Sequence, residues 1–223
     1  MSGFVTVPVA PGVWLAAGDG GDLPVSTHPG DRHTARSMPA RRAREFLTGR
    51  GLLRRLLLEV RPEAADAPTV AGPHGAPRLE GHPGLGVSIA HDAGTVAAAV
   101  AVGRAVGVDV QHPPQWASPT LARRLLRERT AQLDTLPAPA AARELAWVWT
   151  AQEACAKATG RGLAVRPWTI DVPLGARSGT WRGLAWHSLR DRFGTPLSCA
   201  FTAPHGTCPP RTRTRTPNEA IDR

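Results

Sequence analysis

Tyrosine is absent from the 223-residue chain, lysine occurs once and methionine twice. Cysteine is present at three positions only: Cys155, Cys199 and Cys208. That odd, irregularly spaced set excludes a disulfide scaffold or a structural zinc site and makes a reducing cytoplasm the expected compartment. No apolar run approaches the roughly 20 residues that span a bilayer, so no membrane partner is expected. The opening MSGFVTVPVAPGVWLAAGDGG lacks a basic lead and holds two prolines, so it does not read as a signal peptide. Acidic side chains are in deficit, 18 against 27 basic, for a net charge of +9. The isoelectric point is near 11.3. Such a balance attracts polyanions such as nucleic acid, anionic membrane, acidic protein or a phosphorylated cofactor, without choosing among them.

Apolar residues make up 42% of the chain and charged residues 20%, enough for one large domain or two small ones with a buried core. All but one of the basic residues are arginine, as in a high-GC coding sequence that exchanges lysine wherever a fixed charge suffices. Lys157 is the exception. An ammonium is a compact donor whose proton can leave, whereas a guanidinium stays charged, so Lys157 marks a position where the difference matters.

Val13–Ala17 reads as a short strand followed by a Gly/Asp/Pro loop. Residues 39–58 read as a helix entered at Pro39, with Ala43, Phe46, Leu47, Leu53 and Leu57 on one face. Arg50 and Arg54 project into that apolar sector, where a charge needs a partner or an anionic ligand. Gly49 and Gly51 weaken the helix but permit close approach. Residues 62–84 form a Pro/Gly-rich loop. Val87–Ala90 is a strand ending at His91-Asp92-Ala93-Gly94. Thr95–Val102 and Val106–Val110 read as a hairpin turning at Gly103. Ser118-Pro119 opens a helix to about Leu133, and Ala140–Thr159 is a long helix stopped by Gly160. Trp168–Val172, Gly183–Leu189 and Leu197–Thr202 read as strands. The Arg-Thr tail from residue 204 is expected to be disordered. The alternation suits an α/β (α+β) chain of two units, residues 1–104 and 105–203. Gly-Arg-Gly-Leu occurs at 49–52 and again at 160–163, a faint sign of duplication.

Three constellations carry chemistry. In Gly107-Val108-Asp109-Val110-Gln111, strand alternation puts Asp109 and Gln111 on one face, two oxygen ligands for a hard cation such as Mg²⁺; an ordinary exposed strand face is the alternative. In Trp149-Thr150-Ala151-Gln152-Glu153-Ala154-Cys155-Ala156-Lys157, Glu153 and Lys157 are one helical turn apart in apolar surroundings. That pair can bind a metal, accept a proton and neutralise a phosphate, or be a plain surface ion pair. Trp147 and Trp149 suit core packing. The third is Gly75-Ala76-Pro77 followed by Val87–Asp92, where His91 offers a phosphate contact or a structural hydrogen bond.

GVDVQ followed, some forty residues on, by WTAQEACAKATGRGL resembles the signature of the 4′-phosphopantetheinyl transferase superfamily, of the surfactin-synthetase-activating (Sfp) type. RRAREFLTGR, the Gly-x-Pro turn and SIAH resemble the family's upstream segments, so the likeness spans 39–163 and continues loosely to about 203. It implies a pseudo-dimer of two similar α/β halves with coenzyme A in the cleft between them. It implies a holo-acyl-carrier-protein-synthase-type enzyme that transfers 4′-phosphopantetheine to a serine of an acyl or peptidyl carrier protein and releases 3′,5′-ADP. Mg²⁺ would bind Asp109, Glu153 and Gln111. Glu153 would take the serine proton and Lys157 would stabilise the departing phosphate. Arg42, Arg50 and His91 fall where the family holds the coenzyme phosphates. An internal pseudo-dimer needs no second chain, so a monomer is expected.

The chain departs from the family pattern at four positions. Gln111 stands where Glu is common, Gln152 and Ala76 where Lys is common, and Ala90 where Ser precedes the histidine. Each change is expected to remove a charge or donor near the coenzyme and weaken its binding. Two other readings remain: a degenerate relative that binds coenzyme A or carrier protein without catalysis, and a basic nucleic-acid-binding protein. The latter has only the charge and the tail in its favour, with no zinc-finger spacing or aromatic-rich RNA-binding signature, and nucleic acid is not the expected partner. Arg123, Arg124, Arg127 and Arg129, in the segment 112–139, are placed to meet an acidic carrier helix.

Overall fold

Val13, Leu15 and Ala17 point to one side of β2 (Val13–Asp19), which folds back on β1 (Phe4–Ala10) through a turn at Gly12. The computed structural model describes residues 3–203; the tail 204–223, expected to be disordered, and Cys208 lie outside the described residues. After β2 come helices α1 (Pro29–Ala35) and α2 (Ala40–Val60). A small ribbon, β3 (Thr69–Ala71) and β4 (Pro77–Leu79), precedes a hairpin of β5 (Leu85–Asp92) and β6 (Thr95–Val102). The first sheet is antiparallel in the order β1-β2-β6-β5. Its strand β6 is buried on both faces. Val96, Ala98 and Val100 pack with Leu52, Leu53, Leu56 and Leu57 of α2, and Ala97, Ala99 and Ala101 face the second sheet. This double burial explains why β6 is a nearly continuous apolar run.

The second half contains β7 (Val106–Val110), α3 (Pro119–Leu126), α4 (Ala138–Ala158), β8 (Ser178–Trp181), β9 (Leu184–Ser188) and β10 (Leu197–Thr202). Its sheet runs β7-β10-β9-β8. The halves share a plan. In each, a strand leads into a 21-residue helix and then to two strands, and the last strand inserts between the other two: β2-β6-β5 and β7-β10-β9. The sheets meet at the edges β5 and β7, where the Val108 N–H donates to Ser88 Oγ at 3.1 Å. The repeated Gly-Arg-Gly-Leu does not report this duplication. One copy lies inside α2 and the other begins after α4 has ended.

Four expectations are corrected. Thr95–Val102 and Val106–Val110 do not form a hairpin. Both edges of β6 are taken by β2 and β5, so β7 must cross to pair with β10. The helix from Pro119 ends at Leu126, because Arg127 takes φ +55°, and the chain continues as 3₁₀ turns over Arg127–Thr135. Trp168–Val172 is not a strand: a 3₁₀ turn spans Pro167–Thr169, and the Ile170 carbonyl accepts from the Gln152 amide in place of a strand partner. Residues 62–84 are not a featureless loop, since they hold the β3–β4 ribbon. The close approaches foreseen for the α2 glycines are present: a Cβ on Gly49 would lie 2.8 Å from Ile89 Cγ2, and one on Gly51 would collide with the Pro24 carbonyl.

Candidate active site

Strand β7 faces two ways. Val106, Val108 and Val110 enter the core between the sheets, and Gly107 and Asp109 face α4. Gly107 sets the spacing. A Cβ there would collide with the Ala154 carbonyl and lie 2.5 Å from Ala158 N and 2.9 Å from Lys157 Cβ. Without it α4 lies directly on the strand, which brings Asp109 to Lys157. Lys157 Nζ donates to Asp109 Oδ1 at 2.7 Å and to the Val108 carbonyl at 3.1 Å.

Glu153 lies one turn before Lys157 on α4. Burial and then the nearby Asp109 charge push its carboxyl up to about 6, against the partial pull of Lys157. Its Oε1 is buried and has no hydrogen-bond partner among the described residues. Burial also pushes Asp109 up, although the Lys157 ammonium works against it. Two carboxylates in mutual repulsion around one ammonium, with an oxygen left over, form a site short of positive charge.

The other expected site residues divide. Arg42 Nη1 donates to His91 Nε2 at 2.7 Å. Burial, then the Arg42 charge, lowers the His91 pKa, which fits a neutral imidazole as acceptor. Gln111 turns its amide nitrogen to Asp92 Oδ2, at 3.0 Å. Arg50 lies elsewhere. Its guanidinium sits 3.9 Å from Asp31 Oδ1 and over the Phe46 ring, beside an Arg54–Asp31 ion pair of 2.7 Å. Like Arg42, His91, Asp109 and Gln111, it lines neither of two cavities beside Lys157, and His91 lines a separate one. The counter-charge nearest Arg50 is thus Asp31 on α1, a helix the sequence did not signal, although the buried Arg50 Nε and Nη1 make no hydrogen bond among the described residues.

Among the described residues, cavities adjoin Lys157 on two sides. One, of about 580 Å³, lies between the β3–β4 ribbon and β5 on one side and the end of α4 on the other, with Glu153, Lys157, His74, Ser88 and Arg161 in its lining. The other, of about 970 Å³, shares Ala76, Pro77, Val87, Lys157 and Gly160 with it. Both are of a size that holds a cofactor-like ligand.

Two of the four departures, Gln152 and Ala90, are buried away from this cleft, and Gln111 does not line it either. Gln152 is fully buried, and its amide donates to the carbonyls of Leu125 (3.1 Å) and Ile170 (2.8 Å). Ala90 is buried in the core between the sheets. The expectation that each departure strips a donor from the coenzyme is therefore corrected for 152 and 90; Ala76 does line the cleft. Helix periodicity placed Glu153 and Lys157 together, but only packing shows that their neighbour Gln152 braces α3. Asp92 was not foreseen as a site residue, and its position directly after His91 at a strand end was the only local sign.

Among the described residues no three His, Cys, Asp or Glu side chains form a cluster able to hold a metal on their own. Magnesium does not require one, because it binds through one or two carboxylates and completes its shell with water and substrate phosphate. The partnerless Glu153 Oε1, the adjacent Asp109 and the neutral Gln111 fit that demand.

Residues 105–195 match the family model of the 4′-phosphopantetheinyl transferase superfamily. Residues 31–101 match the model of the 4′-phosphopantetheinyl transferase N-terminal domain. No curated protein matches the chain.

Proposed function

The chain belongs to the 4′-phosphopantetheinyl transferase superfamily, and from that premise we propose that it moves 4′-phosphopantetheine from coenzyme A to a serine hydroxyl of an acyl or peptidyl carrier protein. The observation that carries this reading is Glu153 and Lys157 at the wall of a 580 Å³ cleft, with Lys157 paired to Asp109 behind them. The division into units falls between residues 104 and 105, in the link between the two sheets. The protein acts as a monomer in the cytoplasm.

The serine oxygen attacks the pantetheine-side phosphorus. The bond from that phosphorus to the bridging oxygen breaks, and 3′,5′-ADP leaves. Glu153, raised to about 6, is ionised near neutrality and still basic enough to take the serine proton. Lys157 points its ammonium at the same place and offsets charge on the departing phosphate. Arg42 and His91, paired at 2.7 Å, hold a coenzyme phosphate. Asp109, Glu153 and Gln111 would hold Mg²⁺, which when bound offsets the charge of the pyrophosphate. Arg123 and Arg127 are exposed on the carrier-facing segment, together with Trp116. Arg124 and Arg129, named with them from sequence, are engaged by Trp168 and Asp171.

The test incubates the protein with coenzyme A, Mg²⁺ and a panel of apo carrier proteins, and reads the carriers by intact mass spectrometry. The expected result is one added phosphopantetheine. Coenzyme binding without transfer would favour the degenerate reading, and salt-sensitive nucleic-acid binding with neither would favour the third. Glu153→Gln and Lys157→Ala are each expected to cut transfer about 10²-fold or more while circular dichroism stays unchanged.

A further inference from the structure

An amide among metal ligands raises a question that a carboxylate does not: which of its two ends faces the cation. A carbonyl oxygen binds a hard cation and an amide nitrogen repels it. Gln111 Nε2 donates to Asp92 Oδ2 at 3.0 Å and to the His112 carbonyl at 3.3 Å, which commits both of its hydrogens. The oxygen is the end left over. The same Asp92 Oδ2 takes the backbone N–H of His112 at 2.6 Å, so two donors at the exit of β7 hold the carboxylate. Asp92 closes β5, the edge strand of the first sheet, and Gln111 follows β7, the edge strand of the second.

The geometry points to Asp92 as a positioning residue: its carboxylate holds Gln111 by the amide nitrogen, frees Gln111 Oε1 for the cation beside Asp109, and supplies from one residue further out the negative charge that an amide lacks. This rests on the reading of Asp109, Glu153 and Gln111 as magnesium ligands. Carboxylates that orient metal ligands in this way are worth about 10–100-fold in affinity. Asp92 also has an architectural task. Thr95 Oγ1 and His112 Nε2 lie 2.9 Å apart at the same seam, so Asp92 is one of several ties between the halves. The experiment has to separate the two tasks.

Manganese substitutes for magnesium at oxygen sites, and its binding to the full chain is read by electron paramagnetic resonance with no coenzyme present. Asp92→Asn is expected to weaken Mn²⁺ binding about tenfold, because position 111 loses the charge that orients its amide and supplements its neutral oxygen. Asp92→Asn with Gln111→Glu, which puts the carboxylate at position 111 itself, is expected to return affinity to within about threefold of the parent. Gln111→Leu leaves the Asp92–His112 bond in place and is also expected to weaken binding. It decides the matter if the Asp92 variants melt. A parent that binds Mn²⁺ while Asp92→Asn binds it equally well overturns the inference alone, as does failure of the double variant to recover; Gln111→Leu binding equally well overturns it together with the place of Gln111 among the ligands. A parent that binds no Mn²⁺ overturns it together with the reading beneath it.

Discussion

Glu153 owes its elevated pKa to two neighbours of its own making, the apolar flank of α4 and the charge of Asp109. A base is active only when ionised; about 6 is the value without a cation, and the Mg²⁺ that Glu153 would hold lowers it, so transfer at limiting substrate is expected to rise with pH along a limb below about 6. A pH–rate profile of the protein against its Glu153→Gln variant checks this: the variant should lose that limb. The sign for stability is opposite. A carboxyl raised above its unfolded value binds protons more tightly when folded, so its contribution is present below the unfolded value and lost as pH rises through about 6. The metal-free protein should therefore gain stability from this group at pH 5 relative to pH 7, measured by urea unfolding. Asp31 behaves in the other sense. Burial pushes it up, but hydrogen bonds from Arg54 and Ser26 outweigh that and hold its carboxyl below the usual range. It is only 2% exposed and is the shared counter-ion of Arg54 and Arg50. Asp31→Asn is expected to cost about 3–5 kcal/mol in urea unfolding, the range for removing one partner of a buried ion pair.

Among the elements, β7 and α4 decide whether there is a site at all. Gly107→Ala would drive a methyl into the backbone of α4 at Ala154 and Ala158. Neither atom is the end of a flexible chain, so the helix itself must move. We expect a loss of about 3 kcal/mol, the upper part of the overpacking range, and a fall in transfer larger than the loss of folded protein explains. Urea unfolding and a transfer assay on the same preparation separate the two. The sequence of α4 was read correctly as a helix from its small and apolar residues and its glycine stop. The β6–β7 connection was misread for a physical reason. Apolar alternation says that a segment is extended, but whether it can pair with its neighbour depends on whether the neighbour's edges are free. The strand expected at Trp168–Val172 failed likewise, because Ile170 and Val172 are buried by an extended segment whose backbone is satisfied by the Gln152 side chain.

Across the whole molecule, the two halves bring their edge strands together, and the cleft takes its walls from both. Among the described residues no helix is long and apolar enough to cross a membrane. The positive charge is unevenly committed. Arg190 is held by Glu144 over the Trp147 ring, and Arg129 by Asp171, whereas Arg127 and the 64% exposed Trp116 stand free of such pairing in the described structure. An exposed indole and an unpaired guanidinium on one segment are residue types that dominate binding hot spots. Trp116→Ala with Arg127→Glu is expected to raise KM for the carrier protein about tenfold and leave KM for coenzyme A unchanged. Steady-state kinetics with each substrate varied in turn checks it.

From the linear order of residues alone came the long helices, the membership signalled by GVDVQ and WTAQEACAKATGRGL, and the choice of Asp109, Glu153 and Lys157. The helices and the Glu153–Lys157 adjacency were legible because backbone periodicity fixes which side chains are neighbours; the membership and the place of Asp109 beside that pair came only through the resemblance of the two motifs. Tertiary structure alone assigned Arg50 to Asp31, Gln152 to the carbonyls of Leu125 and Ile170, and Gln111 to Asp92. Each of these is a polar group whose partner lies on a different element. A buried donor must find an acceptor, but which one it finds is set by how helices and sheets pack, and no local period encodes that.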